Sequence, residues 1–581
     1  FAWGHPTENN CSFEQGRAAL MNAINSANDE FLAHHREFEN AVLREHFGYT
    51  PPDTLKVHDT KFQLFLTDPY AYSFGLKPSA ERILGWAPDE QDDLKRWIVS
   101  NVPGATEKNF GAFICRAPGE LVGRYARGDT DRTLALHEKL YPLIVDRGMV
   151  GAYEREQKLA PILSESSVRG VRIDRQRLSE DLIVYRAAQR IAETYIFGAL
   201  GCEFELTKDA QLAAALDKAG MVTEWVLTPT GKRSVARKNL VGRVKDPILL
   251  QYLAYHGILE TCLGTFAEPW LRMSAGDGRL HAEWNQVRGN PGEGGDMTGT
   301  RTGRMSCKEP NLTNIPNDFE GVVVPETIVR FIHEQSQLLK RNLYIIPHMR
   351  VYLLPEVGHV WLKRDFSAQE MRIMAHFAEG KLFEAFRKDP KTDPHVAVQK
   401  IILEFSGINL SRKYVKITGF GIMYGRGVPN LSAALGVAIE EGKRTRDAYF
   451  EALPEVKDLS DACRRMGRSG GSIRTWGGRL YPREPHPDRD LSYKLMNYLI
   501  QGSAADQTKE ATIDWEESKT TTEAVLIADV HDEMNISAPA DCKEAAMRDL
   551  RTAMNRDRFD VPFESEGYAG PNWADIEKYE P

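Results

Sequence analysis

Cysteine is scarce and scattered, with seven in 581 residues and no Cys-x-x-Cys pair. That pattern excludes a disulfide framework and a cysteine-based zinc module, and it fits a reducing, cytoplasmic setting. Long apolar runs are also missing. None approaches the roughly 18 residues of a membrane helix, so no membrane partner is expected. The opening residues, Phe1-Ala2-Trp3-Gly4-His5-Pro6, lack the basic and apolar regions of a signal peptide. They also lack an initiator Met, so the chain looks clipped at its start. Positive charge is not in excess, because 74 Lys and Arg face 82 Asp and Glu for a net −8. That balance weighs mildly against a nucleic-acid partner, but binding follows where charge sits and not its sum. Local basic runs exist at Lys232-Arg233 with Arg237-Lys238, at Lys363-Arg364, and at Arg412-Lys413 with Lys416.

What is present is ordinary globular material, 42% hydrophobic and 27% charged, long enough for several domains. Residues 1–150 mix short apolar runs with helical patterns, as in an α/β unit. Asp174 is placed to cap a helix running to about Leu200. Residues 228–234 form a turn-rich basic loop, and residues 288–304 a Gly/Thr-rich, mobile-looking one. Residues 360–380 read as strand then helix, 381–470 as mostly helical, and 469–482 as a hairpin. The chain closes with a second hairpin around 525–539 and a helix near Lys543–Asn555.

Five segments carry chemistry. Near the C-terminus, Asp529, Asp532 and Glu533 crowd a turn between two apolar strands, and like charges that close call for a cation. Asp365 ends a strand, from which a carboxylate can project toward a hard cation. Ser367 and Glu370 then fit a capping box, the local reading of Glu370. Arg412, Lys416, Phe420 and Tyr424 recur every four residues and share one helix face, cationic first and aromatic last. Cations that early oppose the helix dipole unless an anion docks there. Gly419, Gly421 and Gly425 weaken that helix, as if it must swing or let a flat ring approach. In residues 298–316 Arg301 reads as a solvated loop residue and Arg304 as the better contact candidate. Asn497 and Gln501 lie one turn apart in an apolar helix and need partners.

In this order and content the segments resemble family A DNA polymerases, the bacterial polymerase I and phage replicative group. Asp365-Phe366-Ser367-Ala368-Gln369-Glu370-Met371-Arg372 resembles the first carboxylate motif. Arg412 to Gly425 resembles the fingers-helix motif, and His531-Asp532-Glu533 the second carboxylate motif. Thr302–Arg304 and Pro310–Pro316 match two further elements. The resemblance implies a right-hand polymerase of α/β and α+β domains. Its expected parts are an exonuclease-like domain at 1–150, thumb at 151–280, palm at 281–376 and 485–581, and fingers at 377–484. It implies two Mg²⁺ ions on Asp365 and Asp532 with Phe366, supported by Glu533. Arg412, Lys416 and His395 would meet the triphosphate, with Lys416 also catalytic. Phe420 would pack on the incoming dNTP, Tyr424 would gate the template position and Glu370 would exclude a 2′-OH. Arg304, Gln501, Asn497, Arg372 and His531 would contact primer–template DNA, with Lys232 and Arg233 on the thumb. No processivity partner is evident, and the stretch 317–348 is longer than the family places there.

The N-terminal third resembles a ribonuclease H-like 3′–5′ exonuclease lacking its first motif. His35 to Glu39 stand for the second motif, with Glu39 in place of its Asp, and Tyr125 and Asp129 for the third. No Asp-x-Glu occurs in residues 1–30. Either the chain is clipped upstream of it or the domain is structural. Three other readings compete: a nuclease or repair protein, a non-catalytic primer–template binder, and a single-subunit RNA polymerase. Intact Asp365, Asp532, Arg412 and Lys416 weigh against the first two, and Glu370 against the third. No 5′-nuclease segment is seen, which points to a phage replicative enzyme in a host cytoplasm.

Overall fold

The computed structural model describes residues 2–581 except 27–29, 51–55, 229, 289–298, 317–318 and 320. Most of the Gly/Thr-rich loop therefore lies outside the described residues. Two short strands, β1 (Glu30–Ala33) and β2 (Lys56–Asp59), pair in parallel. Among the described residues they are the only strands before residue 150, so the α/β expectation there rests on one pair amid helices. Helix α1 (Gly119–Asp146) leads to α2 (Val150–Arg169), and α3 (Arg175–Leu200) follows. Asp174 does cap α3, its side chain accepting from the Arg177 N–H at 3.0 Å.

Helix α4 (Pro247–Leu259) packs along α3. The long segment before residue 348 acquires a structural account. Its helix α5 (Glu326–Leu339) buries Ile328 and Ile332 against α3. The hydroxyls of Tyr185 and Tyr255 donate to the Tyr344 and Ile345 carbonyls at 2.7 and 2.9 Å. The segment is a brace across two helices, and its apolar spacing is what seats it.

Strand β3 (His359–Phe366) feeds α6 (Gln369–Ala378). A helical block follows, including α7 (Pro394–Ser406) and α8 (Arg412–Met423). The hairpin β4 (Ser472–Arg474) and β5 (Leu480–Pro482) forms where expected. Helix α9 (Leu495–Ser518) is buried along most of its length. The chain ends with β6 (Val525–Val530), β7 (Glu533–Pro539), α10 (Lys543–Met554), β8 (Ser565–Gly570) and β9 (Glu577–Lys578). One antiparallel sheet results, in the order β6-β7-β3-β8-β9.

A buried ion pair ties α2 to α9. Lys509 Nζ donates to both Glu156 oxygens at 2.6 and 2.8 Å and to the Gln286 carbonyl at 2.7 Å. A charge buried that deeply is tolerated only when fully partnered, and here it is. Among the described residues no helix is long and apolar enough to cross a membrane.

Candidate active site

Register places the carboxylates. Asp365 stands opposite Glu533 in the β3–β7 ladder, and Val530 opposite Glu533 closes the β6–β7 hairpin on His531-Asp532. His531 has φ 62°, the left-handed geometry a tight hairpin turn demands. The Phe366 N–H donates to the Asp532 carbonyl at 3.0 Å, so Asp365 and Asp532 sit at one edge of the sheet. Burial pushes the Asp365 carboxyl up to about 8, and the neighbouring Asp532 charge adds to it. Burial raises Asp532 too. Two partly exposed carboxylates close enough for one charge to act on the other are a donor set that suits a hard divalent cation, and Mg²⁺ asks for no more than one or two. The Phe366 ring is buried against Phe563, which leaves only its backbone to serve as a ligand.

Glu533 is committed elsewhere. Its Oε1 accepts from Asn535 at 3.0 Å and Trp573 at 3.2 Å, and its Oε2 lies 2.5 Å from Lys363 Nζ. Asp529 is fully buried beside Thr512 and takes no part in the exposed edge.

The second half of the site comes from α8, whose cap is Ser411, accepting from the Tyr414 N–H. The early cation meets its anion within the chain, because Arg412 donates twice to Asp393 at 2.6 and 3.0 Å. Asp393 in turn caps α7 at the His395 and Val396 N–H groups. Burial pushes His395 down to about 4, with Arg412 and Lys416 nearby also lowering it. Its ring lies 6.0 Å from Phe420, which lies 5.8 Å from Tyr424. Lys416 is exposed.

Two of the helix-weakening glycines let neighbouring side chains, one of them an aromatic ring, approach the helix closely. A Cβ on Gly419 would come within 3.0 Å of the Tyr449 hydroxyl, and one on Gly421 within 3.1 Å of Leu431.

Four residues from four segments converge. Glu370 Oε2 accepts from the Tyr424 hydroxyl at 2.9 Å, and its Oε1 accepts from Arg304. Gln501 also hydrogen-bonds Tyr424, whose hydroxyl burial and Glu370 push up to about 12. Beside it, Gly303 makes room for Arg479. Arg479, fixed by Asp506 at 2.7 Å and bonded to the Gly502 carbonyl at 2.7 Å, fills the space where a Gly303 Cβ would sit.

Several expectations are corrected. Ser367 and Glu370 form no capping box. The Ser367 N–H stays in the sheet, donating to Glu564 at 2.8 Å, and the N-cap is Ala368 at φ 55° with no side-chain bond. Arg372 does not face the open site. Fully buried over Phe386, it donates to the Ser367, Pro562 and Pro390 carbonyls at 2.6–2.8 Å. Arg301 is not simply solvated, being paired with Glu484. Arg364 of the basic run is likewise buried, bonded to Ser565 and Glu580. Asn497 Oδ1 is buried with no partner among the described residues. His531 and Lys232 are exposed, whereas Arg233 pairs with Asp217 at 2.9 Å over the Trp225 ring.

In the N-terminal third Tyr125 hydrogen-bonds Asp129, and Glu39 feels the charges of Asp59 and Asp129, so the three expected residues are neighbours. Burial is the main cause that raises Glu39. Lys77 pairs with Asp129 and lies 4.2 Å from the Tyr125 ring centre. Sequence reading missed Lys77, and it missed Asp59, which accepts from the His35, Arg36 and Lys61 N–H groups. It also missed Lys363 as a neighbour of the carboxylates, although spacing i, i+2 from Asp365 on a strand was a usable signal.

The profile of DNA polymerase family A matches residues 176–575. The chain is 29% identical over 489 residues to the "DNA-directed DNA polymerase" of Pseudomonas phage M6, covering 74% of this chain and 67% of that one. It is 26% identical to "DNA polymerase DpoZ" of Vibrio phage phiVC8, covering 81% and 74%. Against "DNA polymerase I, thermostable" of Thermus filiformis it is 27% identical and covers 78% of this chain. It spans about half the length of that bacterial relative, 52%. The fold matches the POL domain of Pol1 from M. smegmatis, solved with DNA primer–template and dNTP. The TM-score is 0.76 at 23% identity, covering 97% of this chain and 90% of that one. With the profile spanning well over half of its length, the chain belongs to DNA polymerase family A.

Proposed function

We propose that the chain is a template-directed DNA-dependent DNA polymerase that adds dNTPs to a primer 3′ end. The carrying observation is the shared sheet edge of Asp365 and Asp532, linked through Arg304, whose charge acts on Asp532, and Glu370 to Tyr424 at the end of the helix bearing Arg412, Lys416 and Phe420. In this reading the sheet and α9 are the palm (281–376 and 485–581), residues 377–484 the fingers and 151–280 the thumb. Two Mg²⁺ ions on Asp365, Asp532 and the Phe366 backbone would neutralise charge at the attacking 3′-oxygen and the leaving pyrophosphate.

The chain's own residues do the rest. Lys416 and Arg412 draw in the triphosphate, with Arg412 exchanging Asp393 for phosphate. A neutral His395 donates or accepts a hydrogen bond there without adding repulsion. Phe420 offers a ring face to the incoming nucleotide. Arg304 and Gln501 probe the minor-groove edge, which presents acceptors at every pair and so supports a sequence-independent check. Glu370, held from both sides, is a rigid wall against a 2′-OH. Lys232 contacts phosphates on the thumb, and His531 contacts the primer end.

The phage relatives, each covered over two thirds or more of its length, support a role in phage DNA replication. Primer extension with dNTPs and with rNTPs tests the proposal. The expected result is dNTP-dependent extension in Mg²⁺; no extension, or preference for rNTPs, overturns it. The exonuclease-like reading of residues 1–150 has its own test. Metal-dependent 3′ trimming that survives Asp365→Asn but is lost with Asp129→Ala would assign editing to this chain.

A further inference from the structure

The candidate metal edge contains a cation of its own. Lys363 and Asp365 point to the same face of β3, because strand side chains alternate. Across the ladder they stand opposite Asn535 and Glu533. Lys363 Nζ lies 2.5 Å from Glu533 Oε2 and 3.7 Å from Asp365 Oδ2, with its side chain only 14% exposed. Glu533 has no spare oxygen: Asn535 and Trp573 take Oε1, Lys363 takes Oε2, and Arg350 approaches Oε1 at 3.7 Å. Trp573 is itself fixed, stacked on Trp361 at 5.4 Å with Arg350 4.3 Å above it. The acid is thus locked in a frame of five side chains.

We infer that Lys363 is a positioning residue that claims Glu533 and so confines divalent-ion ligation to Asp365 and Asp532. The role of Glu533 is then to hold Lys363 away from Asp365. With Glu533 gone, the ammonium has one carboxylate left within reach, Asp365, and competes with a metal ion for it. With Lys363 gone, the edge keeps the carboxylates and loses a positive charge beside the cation site. This rests on the reading of Asp365 and Asp532 as metal ligands.

Mn²⁺ binding to the DNA-free protein, followed by its electron paramagnetic resonance signal, tests the inference without recourse to activity. Removing a unit charge about 5 Å from a divalent ion changes affinity on the order of tenfold even at water-like screening. Lys363→Met should therefore tighten Mn²⁺ by about that factor, while Lys363→Arg leaves it near wild type. Glu533→Gln should weaken binding in both backgrounds through the loss of its own charge, which acts on Asp365 and Asp532, but distinctly more in the wild-type background, where it also frees Lys363 to take Asp365. An equal weakening in both backgrounds would overturn the inference. So would unchanged or weaker binding in Lys363→Met, with Lys363→Gln as the second variant should Met disturb the sheet. Asp532→Asn is the separate control. If it leaves Mn²⁺ binding intact, the metal reading itself fails, whatever the lysine does.

Discussion

The Tyr424 hydroxyl donates to Glu370 at 2.9 Å, joining the end of one helix to the start of another. Arg304 binds the other oxygen of the same carboxylate. A glutamate held on both sides cannot rotate away from a substrate, and that rigidity is what a steric filter needs. Glu370→Ala should raise ribonucleotide incorporation relative to deoxyribonucleotide by roughly 10–200-fold, the range one pocket contact carries. Competitive primer extension with mixed nucleotides reads this, and unchanged sugar selectivity would sink the assignment.

Phe420 sits between His395 and Tyr424, with ring centres 6.0 and 5.8 Å away. Its edge carries no hydrogen-bond donor to stand in for a missing 3′-OH. Phe420→Tyr should relax discrimination against dideoxynucleotides, visible as earlier termination in a sequencing ladder. An unaltered ladder counts against its placement on the incoming nucleotide.

Arg372 illustrates the opposite case. Its three carbonyl contacts are buried, and burial holds its guanidinium down to about 10. Arg372→Ala would strand those carbonyls, at about 1–3 kcal/mol for each group left without a partner. A clear fall in melting temperature is expected, with unchanged DNA affinity in the fraction that remains folded. Weakened DNA binding at full stability would restore the primer–template contact role.

Asp529 should give the protein a pH-dependent stability. Burial pushes its carboxyl up to about 7. Thr512 Oγ1 lies 3.0 Å from the Thr508 carbonyl and 2.6 Å from Asp529 Oδ2, and one hydroxyl proton cannot serve both acceptors. A protonated Asp529 supplies the second. A raised folded-state value means that the stabilisation is full below the unfolded value near 4 and is lost as pH rises through about 7. Asp529→Asn should remove that slope and be more stable than wild type at pH 8, by a few kcal/mol at order of magnitude. Melting curves from pH 5 to 8 check it; parallel pH profiles would contradict it.

The site was legible where chemistry and spacing coincide. Asp365 lies near the end of a strand and Asp532 in a hairpin turn, and both patterns survive without knowledge of the tertiary fold. Helix α3 was legible through its cap. Glu370 was misread locally because the chain leaving β3 pairs with Glu564, far away in sequence, which delays the helix start by one residue. Arg372 was misread because an arginine two residues after Glu370 gives no hint of which helix face is inward. Lys363 stood out only as part of a local basic run, and only the register with β7 puts it against Glu533. Lys77 had no signal at all, because its partner Asp129 comes from a different helix.

The central claim is that Asp365 and Asp532 together carry nucleotide addition. Single-turnover primer extension in Mg²⁺, with wild type, Asp365→Asn and Asp532→Asn, tests it most directly when primer–template affinity is measured alongside. The account predicts that either asparagine slows addition at least ~10³-fold, about 4 kcal/mol of barrier, while DNA affinity stays within a few-fold of wild type. Extension at near wild-type rate by either variant would contradict it.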